Sequence, residues 1–330
     1  MRIAVVGLGA VGARSARQLA STDAVEELVL RDRDSARIDE VAASIGAVAH
    51  ADHGPYDSPV DADAVILATP AGTHASEAAR LVGAGRPVVS CSDAMGDVTA
   101  LLELGPEAEA RGITVAVGAA FAPGLSCVLA CLAADGLSQI DEIHVARVGT
   151  GGPACARQHH GSLSGKGIDW RDKGWVRRPA GSGRELCWFP DPIGAEDCYR
   201  AALSDALLLV PAFPGVSRVT ARLAANRRDR LTGRWPMLRP PHPEGGLGAI
   251  RVEVRGRRGK SRDVTVLGAM DRPGVAAGAV AALVAVEAAS GRLKRPGAAG
   301  LAALVEPAPF LQELRRRGVK VAAFEGGAAA

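Results

Sequence analysis

Ile3-Ala4-Val5-Val6-Gly7-Leu8-Gly9-Ala10-Val11-Gly12 opens the chain as a short apolar run closed by three glycines. Ala13-Arg14-Ser15-Ala16-Arg17-Gln18-Leu19-Ala20 follows at once with helical amphipathy. Strand, G-x-G-x-x-G turn and helix, in that order, make the start of a βαβ unit that holds a dinucleotide. Gly7 allows the tight turn, Gly9 lets the backbone approach a pyrophosphate, and Gly12 lets the helix lie close to the strand. The free N–H groups around Ala10 and Val11 and the helix dipole favour the anion there. The next apolar run, Leu28-Val29-Leu30, ends at Arg31-Asp32-Arg33. Asp32 stands 20 residues after Gly12, where an acid accepts hydrogen bonds from the adenosine ribose. Asp32 repels a 2′-phosphate, whereas Arg31 and Arg33 would neutralise one. The expected cofactor is therefore NAD(P), with a lean to NAD.

Working outward, the polar stretch 35–45 is read as a helix. Ala64-Val65-Ile66-Leu67-Ala68 is apolar enough for a strand buried on both faces. It closes in Thr69-Pro70, at the sheet edge that carries the glycine turn, so both residues are expected beside the cofactor. His74 is read as a helix-start or surface residue. A helix through 77–82, a strand over 87–91 ending at Ser92 and Asp93, a helix over 97–111 and a strand over 113–117 complete a doubly wound parallel sheet of about six strands. Ser92 and Pro123 join the expected cofactor contacts.

From Gly149 the alternation stops, and 149–183, rich in glycine and basic residues, is read as a long loop or lid. An apolar helix over 201–210 and two strands over 249–255 and 263–267 follow. The strands alternate apolar and charged residues, as suits an antiparallel sheet with one wet face. The fold class is thus α/β, a Rossmann sheet with a second α+β domain containing a mostly antiparallel sheet. The expected division is 1–122 for the dinucleotide, 123–270 for substrate and dimerisation, 271–322 as a helical segment packing back on the first domain, and a flexible tail over 323–330.

Composition narrows the function classes. With 330 residues there is room for two cores, and 48% hydrophobic against 23% charged residues is ordinary for a globular enzyme. Thirty-nine basic and 36 acidic residues leave a formal charge of +3, which directs neither nucleic acid nor membrane to the surface. The clusters Arg227-Arg228-Asp229-Arg230 and Arg255-Gly256-Arg257-Arg258 are read as solvated loops and turns. The start at Met1-Arg2-Ile3 lacks a signal-peptide pattern and no apolar run is long enough to span a membrane, so a cytoplasmic location is expected. Six cysteines form no C-x-x-C pair and are read as reduced. Cys127 and Cys131 are read as small core residues on one helix face. His159-His160 with Cys155 lacks a recognisable ligand set, and no metal is expected. Aromatic residues are 3% of the chain, which disfavours a large stacked ligand.

After the strand over 113–117, Gly118-Ala119-Ala120-Phe121-Ala122-Pro123-Gly124-Leu125-Ser126 leads into an apolar helix, and Asp141-Glu142-Ile143-His144-Val145 follows. This pattern resembles the saccharopine dehydrogenase-like superfamily of NAD(P)-dependent oxidoreductases, including its lysine 6-dehydrogenase branch. Further echoes are Gln158-His159-His160-Gly161-Ser162-Leu163-Ser164-Gly165-Lys166-Gly167, Pro192-Ile193-Gly194-Ala195-Glu196 and the apolar helix after Pro273-Gly274. The resemblance implies hydride transfer at an amine or imine carbon of an amino acid or its conjugate, and a helix over 276–289 packed closely on the nucleotide domain. Such chemistry needs a group that moves a proton. His160 or Lys166 is expected in that role with His159 in reserve, Ser162 as a substrate hydrogen-bond donor, and Arg147, Arg157 and Arg171 as candidates to grip a carboxylate.

Two other readings stay open. Ala68-Thr69-Pro70 with Thr73-His74 also resembles sugar- and inositol-type dehydrogenases, although Cys91-Ser92-Asp93-Ala94-Met95 stands where those enzymes carry Glu-Lys-Pro. A non-catalytic dinucleotide-binding sensor is the third. The expected assembly is a homodimer, the commonest oligomer.

Overall fold

A strand apolar at every position is stable only inside a sheet covered on both faces. Ile3 to Val6 are such a run, and as β1 (Arg2–Val6) they lie fully buried inside a seven-stranded sheet. The computed structural model describes residues 1–55, 58–237 and 240–324. After β1 come α1 (Gly12–Ala20), β2 (Glu27–Arg31), α2 (Ser35–Ile45), the short β3 (Ala49–Ala51), β4 (Ala64–Leu67), α3 (His74–Gly83) and β5 (Val88–Ser90). Next are α4 (Met95–Glu103), α5 (Gly105–Ala110) and β6 (Thr114–Ala116). The stretch 97–111, expected as one helix, is two. Gly105-Pro106 interrupts it, because Pro106 has no N–H to continue the ladder.

The contacts divide the chain into two units. One is Met1–Gly124 with Gly274–Glu306, and the other is Leu125–Pro273 with the chain from Pro307 onward. In the second unit α6 (Leu125–Ala133) is followed by β7 (Gln139–Val148), α7 (Pro153–Ser162), β8 (Lys166–Arg171), β9 (Gly174–Pro179), β10 (Glu185–Trp188) and β11 (Ala195–Arg200). Then come α8 (Asp205–Ala212), β12 (Arg218–Ala224), α9 (Arg227–Thr232), β13 (Gly248–Arg258) and β14 (Ser261–Asp271). The stretch 149–183 is therefore no long loop. It holds a helix and a hairpin whose turn residues Asp172 and Lys173 both have positive φ, 49° and 63°. That mirror-image turn suits hairpin twist but is normally marked by Asn or Gly, so its composition hid it.

The chain returns to the first unit through α10 (Pro273–Ala289), then β15 (Gly297–Ala299) and α11 (Leu301–Leu304), while α12 (Pro307–Arg316) and β16 (Lys320–Phe324) belong to the second. The segment 271–322, expected as one piece, is thus shared between the units. Its β15 completes the parallel sheet in the order β15-β6-β5-β4-β1-β2-β3, one strand more than expected. Three small residues, Gly-Ala-Ala, carry no β-propensity signal, and pairing with β6 alone makes them a strand. The second sheet has nine strands and runs β10-β11-β12-β7-β13-β14-β16, with the β8–β9 hairpin on β12. It is antiparallel except where β12 meets β7. Residues 325–330 of the expected tail lie outside the described residues.

Burial accounts for several sequence patterns. Helix α10 is buried almost all round, and a side chain on Gly278 would come within 2.7 Å of the Arg14 Cβ and 3.0 Å of the Ser15 nitrogen on α1. In the second unit Arg222 is buried and held by carboxylates. Its Nη1 lies 2.7 Å from Asp169 Oδ1 and its Nε 3.1 Å from Glu185 Oε1, while Arg200 Nε lies 3.2 Å from Asp169 Oδ2. On the same sheet His144 bonds Thr220 Oγ1 and Glu142 Oε2, both at 2.8 Å. The 227–230 cluster forms α9, capped by Asn226, whose side chain accepts from the Asp229 N–H at 2.8 Å. The 255–258 cluster ends β13, where Arg258 pairs with Asp263.

Urea denaturation reads both packing features. Gly278→Val should cost about 1–3 kcal/mol by overpacking α10 against α1. Arg222→Ala should cost about 3–5 kcal/mol, since it leaves the Asp169 carboxylate poorly compensated. Arg2→Ala, at an exposed pair, should cost at most about 1 kcal/mol.

Candidate functional site

The glycine turn has the shape its spacing predicts. Gly7 has φ of +92°, and a side chain there would come within 2.7 Å of the Ala68 carbonyl. One on Gly12 would run into the carbonyl oxygen of Gly7. Beside Gly9 there is open space, with nothing within 4 Å of where a Cβ would stand. Among the described residues nothing accepts from the N–H groups of Gly9, Ala10 and Val11. A packed turn with an open, donor-lined centre suits a pyrophosphate.

Asp32, just past β2, faces this turn. Its Oδ2 accepts from the Leu8 N–H at 2.5 Å and its Oδ1 from the Asp34 N–H at 3.0 Å. These bonds orient the carboxylate and leave lone pairs for hydroxyl donors. Arg31 departs from expectation. It is buried and turned inward, its Nε and Nη2 on Asp52 Oδ2 and its Nη1 donating to Ser58 O at 2.7 Å. Burial pushes the Asp52 carboxyl up, but the Gly54 N–H and the Arg31 guanidinium outweigh it and hold the group below its usual range. Arg31 is thus committed within the fold, while Arg33 is exposed.

The carboxyl ends of β4 and β5 are tied by buried polar side chains. His74 starts α3, as read, but is fully buried rather than at the surface, with Nε2 2.9 Å from Thr69 O and Nδ1 2.9 Å from Ser90 Oγ. A carbonyl only accepts, so Nε2 carries the hydrogen and Nδ1 accepts from the Ser90 hydroxyl. Burial pushes the ring below its usual pKa, and the Thr69 carbonyl, Asp97 and Asp93 offset only part of that. Buried Asp97 accepts from the Ser92 hydroxyl at 2.7 Å and the Gly72 N–H at 2.9 Å. Ser92 is therefore engaged within the protein. Thr69 Oγ1 lies 2.8 Å from Thr73 Oγ1, Pro70 is exposed at the edge, and Pro123 is buried in a turn where the Ala120 N–H reaches the Gly118 and Pro123 carbonyls. His74 and Asp97 support the strand ends from beneath, a role the sequence reading did not give them. The signal lay in His74 standing four residues past Thr-Pro, which puts an α3 side chain beneath the strand ends.

In the second unit the expected proton carriers separate. His160 is buried and its Nε2 donates to Thr232 O at 2.9 Å. Lys166 is exposed at the start of β8. His159, buried, lies against Cys155, with Sγ 3.5 Å from Nε2 and 4.0 Å from Nδ1. Ser162 donates to the His159 carbonyl at 2.7 Å, closing the helix end rather than presenting its hydroxyl outward. The three arginines stand on different elements. Arg147 is buried on β7, Arg157 is exposed on α7, and Arg171 is exposed at the end of β8 beside Asp172.

Comparison with known proteins fits this geometry. Residues 1–92 match the family model described as "Oxidoreductase family, NAD-binding Rossmann fold". The chain is 34% identical over 122 residues to 4-carboxy-2-hydroxymuconate-6-semialdehyde dehydrogenase of Sphingobium sp., covering 36% of this chain and 38% of that protein. It is 36% identical over 108 residues to inositol 2-dehydrogenase of Mycolicibacterium gilvum, covering 32% and 30%. The chain thus spans about a third of the length of the curated relatives it matches. Saccharopine dehydrogenase (L-Glu forming) of Saccharomyces cerevisiae shares the fold over 98% of this chain and 99% of that one, with a TM-score of 0.68 at 14% identity. Amine dehydrogenase of Mycobacterium smegmatis does so over 93% and 96%, with a TM-score of 0.52 at 12% identity. Among the described residues no helix is long and apolar enough to cross a membrane.

His74 generates a pH prediction. Its folded pKa lies below the unfolded value of 6.5, so the unfolded chain binds more protons below that pH and stability falls as pH drops below about 6.5. His144, also depressed by burial, contributes in the same direction. His74→Ala should cost about 1–3 kcal/mol at pH 8 and flatten the loss of stability between pH 8 and pH 5.5. Urea midpoints at both pH values read the two effects, and an unchanged slope would exclude His74 as the titrating group.

Proposed function

We propose that the chain is a nicotinamide-linked oxidoreductase that transfers a hydride at an amine- or imine-bearing carbon of an amino acid or amino acid conjugate. The observation that carries the dinucleotide is the open, donor-lined turn at Gly9 with the oriented carboxylate of Asp32 at its side. Of the two arginines that could neutralise a 2′-phosphate, Arg31 is turned inward and leaves Arg33, and this withdrawal together with the oriented Asp32 carboxylate supports NAD over NADP. When bound, the nicotinamide supplies or takes the hydride, and the protein must orient the substrate and move a proton. Of the expected proton carriers, His159 is the one whose ring faces a titratable side chain rather than a backbone carbonyl or open solvent. It is the favoured group.

The amine carbon is supported by the resemblance through Ala122-Pro123-Gly124-Leu125-Ser126. A second reading, transfer at an alcohol or aldehyde carbon, is favoured by the names of the two curated relatives. The absence of a lysine from Cys91-Ser92-Asp93-Ala94-Met95 counts against its sugar-type form.

Tryptophan-fluorescence titration with NAD⁺, NADH, NADP⁺ and NADPH tests the first step. NADH should bind more tightly than NADPH, and Asp32→Ala should weaken NADH by roughly tenfold or more. Binding of none at millimolar concentration overturns the reading. Turnover on amino acids, keto acids with amines, polyols and aldehydes then separates the substrate classes. His159→Ala should lower kcat by about 100-fold or more with cofactor binding intact. A bound dinucleotide that no substrate reduces would mark a sensor instead.

A further inference from the structure

We propose that β10 is a docking edge for a second copy of this chain, which lays its own β10 antiparallel alongside, across a two-fold axis at Leu186. Among the described residues β10 is an outer strand of the nine-stranded sheet, with β11 as its one strand neighbour. The Phe189 N–H donates to the Gly194 carbonyl at 2.8 Å, and these two residues continue the β10–β11 register. That bond sets the phase of the ladder. Hydrogen-bonded positions alternate in an antiparallel pair, so Glu185 and Cys187 turn their backbone groups to β11, while Arg184, Leu186 and Trp188 turn theirs outward. Among the described residues nothing bonds to the outward N–H and C=O groups of Leu186 and Trp188.

The straight part of this edge is short and bounded. Gly183, at a φ of +65°, ends the extended backbone before Arg184, and Pro190 has no N–H to offer after Phe189. Leu186 is the middle of what remains. An axis there sets Leu186 against the partner's Leu186 and Arg184 against the partner's Trp188, each pair exchanging both N–H···O bonds. An axis at Glu185 or Cys187 would meet backbone groups already turned to β11. One at Arg184 would set two arginines face to face, and one at Trp188 would set Leu186 against the partner's Pro190.

The side chains favour the same register. Leu186 and Trp188, each 62% exposed, share one face of a four-residue strand that carries neither Lys nor Pro, the residues that guard a bare edge. Paired at the axis, the two leucines cover each other. Arg184 is exposed, its Nε 2.9 Å from Asp197 Oδ1, and its guanidinium comes over the indole of the partner's Trp188. Ala195, opposite Trp188 on β11, leaves that ring uncrowded. On the other face Glu185 meets the partner's Cys187, its charge already held by Arg222. The pairing closes as a dimer, because the far end of the sheet is β16, a different strand.

Sedimentation velocity of the full chain over a concentration series tests the edge without reference to activity. The chain should pass reversibly from monomer to dimer. Leu186→Lys, which sets two ammonium groups against each other at the axis, should weaken association by about tenfold or more. Trp188→Ala should weaken it by roughly threefold. Both positions are exposed, so the urea midpoint should stay where it is. Oxidised glutathione reads the register. Leu186→Cys places two thiols on directly opposed residues, with Cα atoms about 5.5 Å apart, and should give a covalent dimer on a non-reducing gel. Arg184→Cys should not. A monomer at every concentration overturns the proposal. So does a dimer that Leu186→Lys leaves intact, or a covalent dimer that fails to form through Leu186→Cys or forms as readily through Arg184→Cys.

Discussion

The first unit depends on how closely α1 approaches the strands that precede and flank it. With no side chain at Gly12 the helix start sits against the Gly7 carbonyl, and with none at Gly7 the turn sits against the end of β4 at Ala68. That double approach aims the first N–H groups of α1 at the strand ends. It also brings Leu8 to the Asp32 carboxylate, so the acid is oriented by the turn it serves. A methyl group at either glycine would push apart three elements at once.

Around this point, polar side chains are buried where strands stop and backbone groups lose their ladder partners. His74, Ser90, Ser92 and Asp97 take up those groups at the ends of β4 and β5. The second unit solves a similar problem with charges, placing Arg222 between Asp169 and Glu185 on its sheet. Both arrangements are costly to leave half-satisfied, which makes them rigid supports for what lies beside them.

The parallel sheet was legible because its signals are local. Apolar runs, glycine spacing and an acid 20 residues on all lie within the first 32 residues. What escaped was decided by distant partners. Gly297-Ala298-Ala299 is a strand only because β6 lies next to it, and 149–183 folds around a turn without glycine at either central position. Among the site residues, the glycines form the tight turn their spacing predicts and the Asp32 carboxylate faces it, while His160 and Ser162 turned to backbone carbonyls. A sequence shows that a histidine is present but not which carbonyl it will meet. Arg31 illustrates the same limit, since its partner Asp52 is 21 residues away.

The return of the chain to the first unit has a consequence for synthesis. The first unit is interrupted after Gly124 and resumes at Gly274, and β15 is the outer neighbour of β6. During translation, which proceeds from the amino end, β6 therefore emerges with one edge bare and stays so while some 150 residues of the second unit are made. An open parallel edge is a template for wrong partners. Here the ribosome must make most of the later unit before the earlier one can close.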